Sequence, residues 1–429
     1  MNDPLALLHA EAAALNIDLT PDLLGRVMAC FGEGVFAKLL DPAAGATVVA
    51  GVWQATYNKL EFENAVIVCL AIRRVLALGP SRLRPHLGDL RWKATWCHVH
   101  LYLAGSLYQR SKELMGTGSG DAVRPMLTEA LRCWDAVEPN DVHLAKGEPG
   151  RIRRGMRGVT RLVLARQDAS PLALLHGART DLHLAEQRGD TTAEHFAFHL
   201  EVLYRLAQDP AELPTLWIEA DHLAARTRPH VSGSFTWLCA LGELHLRKAQ
   251  SVVSAEDEPL FDGPDPPIPG GEPGVPDTSG EEAAVARRTA ALEAYEQALR
   301  NFQEAKDRAT CRENGFRLVM LRHNHGVARA GIARTLQALR RADEAQAHYV
   351  TAIEDMRWSA SHDTPVQGSA FPSALIDYAL YLYRAKDWAA AHALAREARL
   401  LRAASPGLLV ESRERFTVEL WRATALRAL

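Results

Sequence analysis

The stretch Ala345-Gln-Ala-His-Tyr-Val-Thr-Ala352 places an alanine, a tyrosine and a second alanine at positions i, i+4 and i+7. Side chains with this spacing lie on one face of an α-helix, and small ones allow a neighbouring helix to approach closely. The same spacing recurs from Ala291 and from Ala391, with alanine in place of the tyrosine in the second case. The pattern predicts three similarly packed helices, with Ala352 and Ala398 at the contacts between paired helices.

A second pattern precedes each of these stretches and predicts the helix that pairs with it. It reads Leu238-x-x-Leu-Gly-x-x-His245, Arg329-x-x-Ile-Ala-x-x-Leu336 and Leu375-x-x-Tyr-Ala-x-x-Leu382. In all three, a glycine or an alanine stands at the position where two helices would touch. Together the two patterns resemble the tetratricopeptide repeat, which is a pair of antiparallel helices.

This resemblance implies an all-α fold, a TPR-like α-solenoid or superhelix in which each antiparallel helix pair packs against the next. In such arrays the first helices of the pairs line a concave groove, which typically receives a peptide or a helix of another protein. The resemblance therefore implies a scaffold or a regulatory adaptor that is not an enzyme. The residues expected in the groove are Glu243, Arg247, Arg334, Gln337, Tyr383 and Arg384. Because three of the six are arginines, we expect an acidic or carboxylate-terminated ligand.

The repeats are not uniform along the chain. We assign residues 169–429 to TPR-like repeats and residues 1–168 to a divergent N-terminal helical region. Arg329 stands where the family favours tryptophan, and 46 residues separate Ala345 from Ala391, against about 34 in the standard repeat. Longer helices or loops are therefore expected here.

An acidic segment interrupts the repeat region at residues 255–282. It contains seven prolines, five glycines and nine acidic residues, without a lysine or an arginine. Such a composition buries too little apolar surface to offset the entropy lost on ordering, which predicts a disordered insertion. The flanking sequences correspond to the two helices of one pair, so the insertion is expected within a helical hairpin and not between domains.

Composition limits the classes of partner and the compartment. The formal net charge of the 429 residues is −3, which gives no global preference for nucleic acid or for an anionic membrane. The longest uncharged apolar run, residues 65–72, is too short to cross a bilayer. Six cysteines occur without a C-x-x-C pair, as in reduced proteins. We therefore expect a cytoplasmic protein without membrane association.

A local excess of basic residues provides an alternative hypothesis. Between residues 70 and 170, 17 Lys and Arg stand against 9 Asp and Glu. The predicted basic patch within that range consists of Arg151, Arg153, Arg154, Arg157 and Arg161. It is either a solvated face or a docking site, and the docking site would make the protein a nucleic-acid-linked regulator or a receptor for acidic proteins. We also hypothesise that the acidic insertion covers this patch transiently.

Motifs for chemistry are sparse. His195 and His199 have the i, i+4 spacing that places two ligands on one helical face, and Glu219 and His222 have the spacing found in di-iron bundles. No second motif completes either set, and no nucleophile, phosphate-binding or metalloprotease motif is present. The sequence therefore predicts neither a metal site nor a cofactor. An enzyme within the divergent N-terminal half remains the second alternative.

Overall fold

The computed structural model describes most of the chain. The described residues are 4–22, 61–78, 80–115, 120–137, 148–187, 192–207, 213–231, 234–252, 278–309, 315–362, 370–404, 420–422 and 425. Their secondary structure is helical throughout, without a strand, so the predicted all-α class is confirmed for this part of the chain. Residues 253–277, which make up most of the predicted insertion, lie outside it. The chain divides into two compact units, Met1–Leu213 and Pro214–Leu429.

Helix-forming residues account for the long helices. The helix Thr278–Arg308 is rich in alanine, glutamate and arginine, which have high helix propensity. It has Glu281 in its first turn and Lys306 and Arg308 in its last turn, so its charges complement the helix dipole. Because this helix begins at Thr278, the last five residues of the predicted insertion 255–282 are helical. Acidic residues close to a helix N-terminus favour that extension.

The first unit contains seven described helices. They are α1 (Pro4–Ala14), α2 (Phe62–Leu78), α3 (Pro80–Met115), α4 (Gly120–Val137), α5 (Glu148–Ala165), α6 (Leu172–Gln187) and α7 (Ala193–Leu206). Helix α3 packs against α4, and α5 packs against α6. The α5–α6 pair is antiparallel, because Arg157 contacts Asp181 and Arg161 contacts Gly177. Helices α6 and α7 pack onto α5 within this unit.

The second unit continues with helices in neighbouring pairs. They are α8 (Leu213–Val231), α9 (Phe235–Val252), α10 (Thr278–Arg308), α11 (Gly315–Ala338), α12 (Ala342–Ala360), α13 (Ala370–Arg384) and α14 (Trp388–Ala404). Helix α9 packs against α10, α11 against α12, and α13 against α14. The α11–α12 pair is antiparallel, since Gln337 contacts Tyr349 near one end and Val319 contacts Ser359 near the other. Helices α9 and α10, which flank the predicted insertion, pack against each other.

We call the first helix of each pair a leading helix and the second a trailing helix. The leading helices are α3, α5 and α7 in the first unit and α9, α11 and α13 in the second. The trailing helices are α4 and α6 in the first unit and α10, α12 and α14 in the second. Each leading helix after the first in its unit contacts both the preceding trailing helix and the preceding leading helix.

The small residues lie where the sequence patterns place them. All seven alanines at the first, middle and last positions of the three trailing-helix stretches are buried, with Ala352 and Ala398 each 0% exposed. Among the leading helices, a Cβ at Gly242 would lie less than 3.0 Å from the Phe302 ring of α10. A Cβ at Gly331 would be equally close to the Tyr295 ring. Glycine is therefore required at both positions by the close approach of an aromatic ring from α10.

Candidate functional site

The predicted groove residues lie on the leading helices of the second unit, and Arg334 is at their centre. Arg334 of α11 donates from Nε and Nη2 to one carboxylate oxygen of Asp377 on α13, at 3.0 and 2.6 Å. The Asp377 side chain is only 5% exposed, whereas that of Arg334 is 25% exposed. This ion pair joins two consecutive leading helices across their shared surface.

The charge of Asp377 determines the electrostatics of the pair. It raises the pKa of the Arg334 guanidinium above its ordinary value, and burial, which acts in the opposite direction, is the smaller effect. Arg334 therefore stays charged at every physiological pH. Because Asp377 neutralises much of that charge, Arg334 attracts an acidic ligand less strongly than an unpaired arginine would.

A group of tyrosines lies beside Gln337, the other predicted groove residue of α11. The hydroxyl of Tyr349 on α12 donates to Oε1 of Gln337 at 2.8 Å. The Tyr349 ring stacks on Tyr378 at 5.2 Å between centroids, and Tyr381 lies 6.0 Å from each of them. Tyr378 and Tyr381 are half-buried on α13, so they present ring surface beside the Arg334–Asp377 pair.

The remaining predicted residues do not form one row with Arg334. Glu243 of α9 accepts a hydrogen bond from the amide of Asn324 on α11, and Nε of Arg247 lies 3.7 Å from Glu243. Tyr383 packs edge-on against Trp388 of α14, with ring centroids 5.2 Å apart, and Arg384 is exposed. The structure therefore brings Arg334 and Gln337 together, and it places Tyr383 toward a trailing helix.

Asp377, Tyr378 and Tyr381 were missed by the sequence analysis. Asp377, Tyr381 and Arg384 are spaced i, i+4 and i+7 along α13, which places them on one helical face. That spacing was visible in the sequence. The contact of Asp377 with Arg334, 43 residues earlier, was not.

The first unit has a comparable arrangement that the sequence analysis did not identify. Arg166, directly after α5, donates to both carboxylate oxygens of Glu201 on α7, from Nε at 2.7 Å and from Nη2. Arg205 donates to the same carboxylate at 2.8 Å, and the Arg166 guanidinium lies 6.0 Å from the Phe198 ring centroid. Burial opposes ionisation of Glu201, but the two arginines together outweigh it and lower the pKa of this carboxyl group. An arginine–carboxylate pair thus connects consecutive leading helices in each unit.

Two arginines of the predicted basic patch, Arg157 and Arg161, form ion pairs within the fold. Arg157 is 4% exposed and donates from Nε to Asp181 of α6 at 2.9 Å. Arg161 lies 2.9 Å from Asp181 and 3.2 Å from Asp135 of α4. Arg154 is partly buried on the same helix. A charge as deeply buried as that of Arg157 requires a partner within the fold, and Asp181 is that partner.

Arg151 and Arg153 lie in the first turns of α5, and their side chains are outside the described ones. We hypothesised that the acidic insertion covers the patch. Arg157 and Arg161 are already paired with Asp181, so they are not available to bind the insertion. Since residues 253–277 also lie outside the described part, the hypothesis stays a prediction without structural support.

The candidate metal ligands have structural roles. His195 forms a capping box with Thr192 at the start of α7 and packs against Gly155 of α5. His199 is buried, with Nδ1 3.8 Å from Glu186 of α6. Glu219 is partly buried on α8, and His222 is exposed. Within the described ranges, no group of three or more His, Cys, Asp or Glu side chains is placed to hold a metal ion.

A cleft of about 830 Å³ lies in the first unit, the half in which a hidden enzyme was the alternative. Its lining residues are Ala14, Leu15, Arg124, Pro125, Thr128, Glu129, Arg132 and Gln167. Glu129 is the one carboxylate in that lining, and it accepts a hydrogen bond from Arg73 at 2.6 Å.

Among the described helices, none combines the length and the apolar character needed to span a membrane. No protein-family model, no curated protein and no solved structure matches the chain.

Proposed function

We propose that the protein is a non-enzymatic scaffold or regulatory adaptor that binds a partner protein or peptide along its leading helices. In this proposal each unit is a short TPR-like solenoid, and the leading helices form its concave face. The observation that carries the proposal is the direct contact between consecutive leading helices, α9 with α11 and α11 with α13. The resemblance of the repeat patterns to the tetratricopeptide repeat is consistent with it.

The packing of the second unit supports a stack that curves with its leading helices on the inner side. Between consecutive hairpins of the described part, the leading helices are in more extensive backbone contact than the trailing helices are. Trailing helices α12 and α14 are connected near the surface by an ion pair between Arg357 and Glu397, at 2.6 Å. When one layer of helices is closer together than the other, the stack curves toward the closer layer. The leading helices then lie on the inner side, where a ligand contacts several of them at once.

The exposed side chains of this layer support an acidic partner. Arg247 of α9 is 51% exposed, and Arg384 at the end of α13 is also exposed. The half-buried rings of Tyr378 and Tyr381 add apolar and aromatic contact surface on α13. Since Asp377 and Glu243 have partners within the fold, the exposed charge among these residues is mainly positive.

Charge reversal on the leading helices tests the proposal. We expect that replacing both Arg247 and Arg384 with glutamate prevents capture of the partner, because two attractive contacts become repulsive. Photo-crosslinking in cells through a probe at Gln337, followed by mass spectrometry, identifies the captured protein. The Kd is then measured with the purified partner, and we expect it to increase roughly tenfold or more in the variant.

The matched control reverses two exposed arginines on trailing helices, Arg300 of α10 and Arg396 of α14. This control carries the same change in net charge on the opposite layer. We expect it to capture the same partner as the unaltered protein. Equal capture by both variants, or the absence of any reproducible partner, would contradict the proposal.

Nucleic-acid binding is the second candidate function, and fewer observations support it. Arg157 and Arg161 neutralise Asp181 and Asp135, so they are not available to phosphates without disrupting the fold. Retention of the protein on immobilised duplex DNA, with a steep dependence on salt concentration, would favour this candidate over a protein partner.

A further inference from the structure

The cleft of the first unit is lined mainly by a trailing helix. It is formed by the C-terminal end of α1, by one stripe of the trailing helix α4, and by Gln167 after α5. Its volume of about 830 Å³ is within the range of about 300 to 1,000 Å³ that is usual for ligand sites. The cleft is therefore large enough for a short peptide segment.

Helix α4 provides a row of cationic and polar groups along this cleft. Arg124, Thr128 and Arg132 are spaced i, i+4 and i+8, so they follow one face of the helix. At a rise of about 1.5 Å per residue, the backbones of the two arginines are about 12 Å apart. Two anionic groups with a similar separation would each meet one guanidinium.

The two arginines keep donors for a ligand. Arg132 is 77% exposed, and its contact with Glu129 is long, at 3.5 Å. Arg124 is 53% exposed, and it uses Nη2 on Asp168 at 3.0 Å and Nη1 on the Gln167 carbonyl at 3.1 Å. A guanidinium has five N–H donors, so both retain capacity for a carboxylate. The Asp168 contact also orients Arg124 at the edge of the cleft.

The carboxylate of Glu129 in the lining does not repel an anion strongly, because Arg73 neutralises it. Glu129 accepts from Arg73 of α2 at 2.6 Å, and Arg73 also lies 3.3 Å from Glu11 of α1. Arg74 pairs with the same Glu11 at 2.5 Å. Within this network the arginines outnumber the carboxylates, so the cleft retains positive character beside its apolar residues Ala14, Leu15 and Pro125.

We propose that this cleft binds a short acidic peptide segment. One carboxylate of the segment contacts Arg124, a second contacts Arg132, and the apolar residues between them lie against Ala14 and Pro125. An extended chain advances about 3.3 Å per residue, so acidic residues four positions apart match the spacing of the two arginines. The charge-assisted contacts give the site its selectivity for acidic over neutral segments.

The test uses isothermal titration calorimetry with the full chain and a capped pentapeptide. The peptide has aspartate at both ends and leucine, alanine and proline between them, and its neutral counterpart has asparagine at both ends. We expect the acidic peptide to bind and the neutral peptide not to bind. Affinity should decrease between about 0.1 M and about 1 M salt, because the screening length falls from about 10 Å to about 3 Å.

Three variants separate the cleft from general charge attraction. Arg132→Ala, which removes the more exposed arginine, should weaken binding roughly tenfold. Ala14→Trp should abolish binding by filling the cleft without a change in charge. Arg300→Ala, on the trailing helix α10 of the other unit, should leave the Kd unchanged. Circular dichroism verifies that each variant is folded.

The results distinguish this proposal from the proposed function. Failure of the acidic peptide to bind the unaltered protein overturns the cleft proposal, as does unchanged affinity in Arg132→Ala. Binding that is lost in Arg132→Ala but retained in Ala14→Trp also overturns it, because the attraction would then arise at the open surface. None of these results alters capture through Arg247 and Arg384, whose failure would contradict only the function proposed for the leading helices.

Discussion

At the scale of single residues, small side chains determine how closely two helices approach. Ala352 of α12 is 0% exposed, and its backbone carbonyl oxygen would lie 3.0 Å from a Cβ at Gly326 of α11. The two helix backbones therefore meet with no room for a larger side chain. The same role is expected for Ala398 of α14, which is also 0% exposed.

We expect that Ala352→Leu lowers the free energy of unfolding by roughly 1–3 kcal/mol, because the added volume forces α11 and α12 apart. The measurement is urea denaturation followed by circular dichroism. Ala347→Leu is the matched control, since Ala347 is exposed on the same helix, and it should change stability by less than about 0.5 kcal/mol. A neutral effect of Ala352→Leu would mean that the repeat register is wrong.

At the scale of secondary-structure elements, two leading helices end in the same way. Arg340 after α11 and Lys386 after α13 have positive φ angles of 61° and 65°. The next amide in each case donates back to a leucine carbonyl of the helix, Arg341 to Leu336 at 2.8 Å and Asp387 to Leu382 at 2.9 Å. This is a Schellman turn, in which glycine is the usual residue. The two leucines occupy the last position of the repeat pattern, so the turn is a repeated structural feature.

We expect Arg340→Gly and Lys386→Gly each to stabilise the protein by roughly 0.5–1 kcal/mol. Glycine avoids the strain of a left-handed conformation, and the greater flexibility of the unfolded chain offsets part of that gain. The midpoint of urea unfolding provides the measurement. Ala347→Gly, at an exposed helical position, should instead destabilise by roughly 1 kcal/mol. A loss of stability in both turn variants would show that the side chains of Arg340 and Lys386 contribute more than their backbone strain.

At the scale of the whole molecule, buried and half-buried histidines connect stability to pH. Burial lowers the pKa of His100 in the first unit to about 4, although the Trp96 carbonyl that accepts from its ring acts in the opposite direction. Nearby Arg73 and Arg132 lower this pKa further, and Glu129 raises it. In the second unit, burial likewise lowers the pKa values of His245 and His323 to about 4.

We expect the protein to lose stability as the pH falls from about 6.5 toward 4. In that range the unfolded chain binds protons at His100, whose ordinary pKa is 6.5, and the folded chain does not. Each such histidine reduces the free energy of unfolding by up to roughly 1.4 kcal/mol per pH unit. Urea denaturation at several pH values measures this slope.

His100→Gln should make that pH dependence less steep, because glutamine does not titrate and keeps a donor for the Trp96 carbonyl. Carboxyl groups with lowered pKa values, such as Glu201 and Asp355, lose their contribution only at lower pH, below their ordinary values of 4.5 and 3.8. The range from about pH 5 to pH 6.5 thus reports mainly on the histidines. An unchanged slope in His100→Gln would show that His100 is protonated in the folded state.

The amino-acid sequence by itself determined the helical class and the packing positions of this protein. Alanine and glycine at helical spacing identified the buried faces, because a small side chain at a fixed period permits close helix approach wherever the partner helix lies. Ala345, Ala352 and Gly242 are accordingly buried. The composition of residues 255–282 likewise placed a break between two helices that pack together, α9 and α10.

Only the tertiary structure decided which charges meet. Arg157 and Asp181 are 24 residues apart and on different helices, and Arg334 meets Asp377 across 43 residues. Helical periodicity gives the face on which a side chain lies, but not the distance from that face to another helix. The energy of a charge depends on that distance and on the water removed around it. For this reason Arg157 and Arg161, which the sequence presented as part of a surface patch, are paired within the fold, and the cleft beside α4 could be found only in three dimensions.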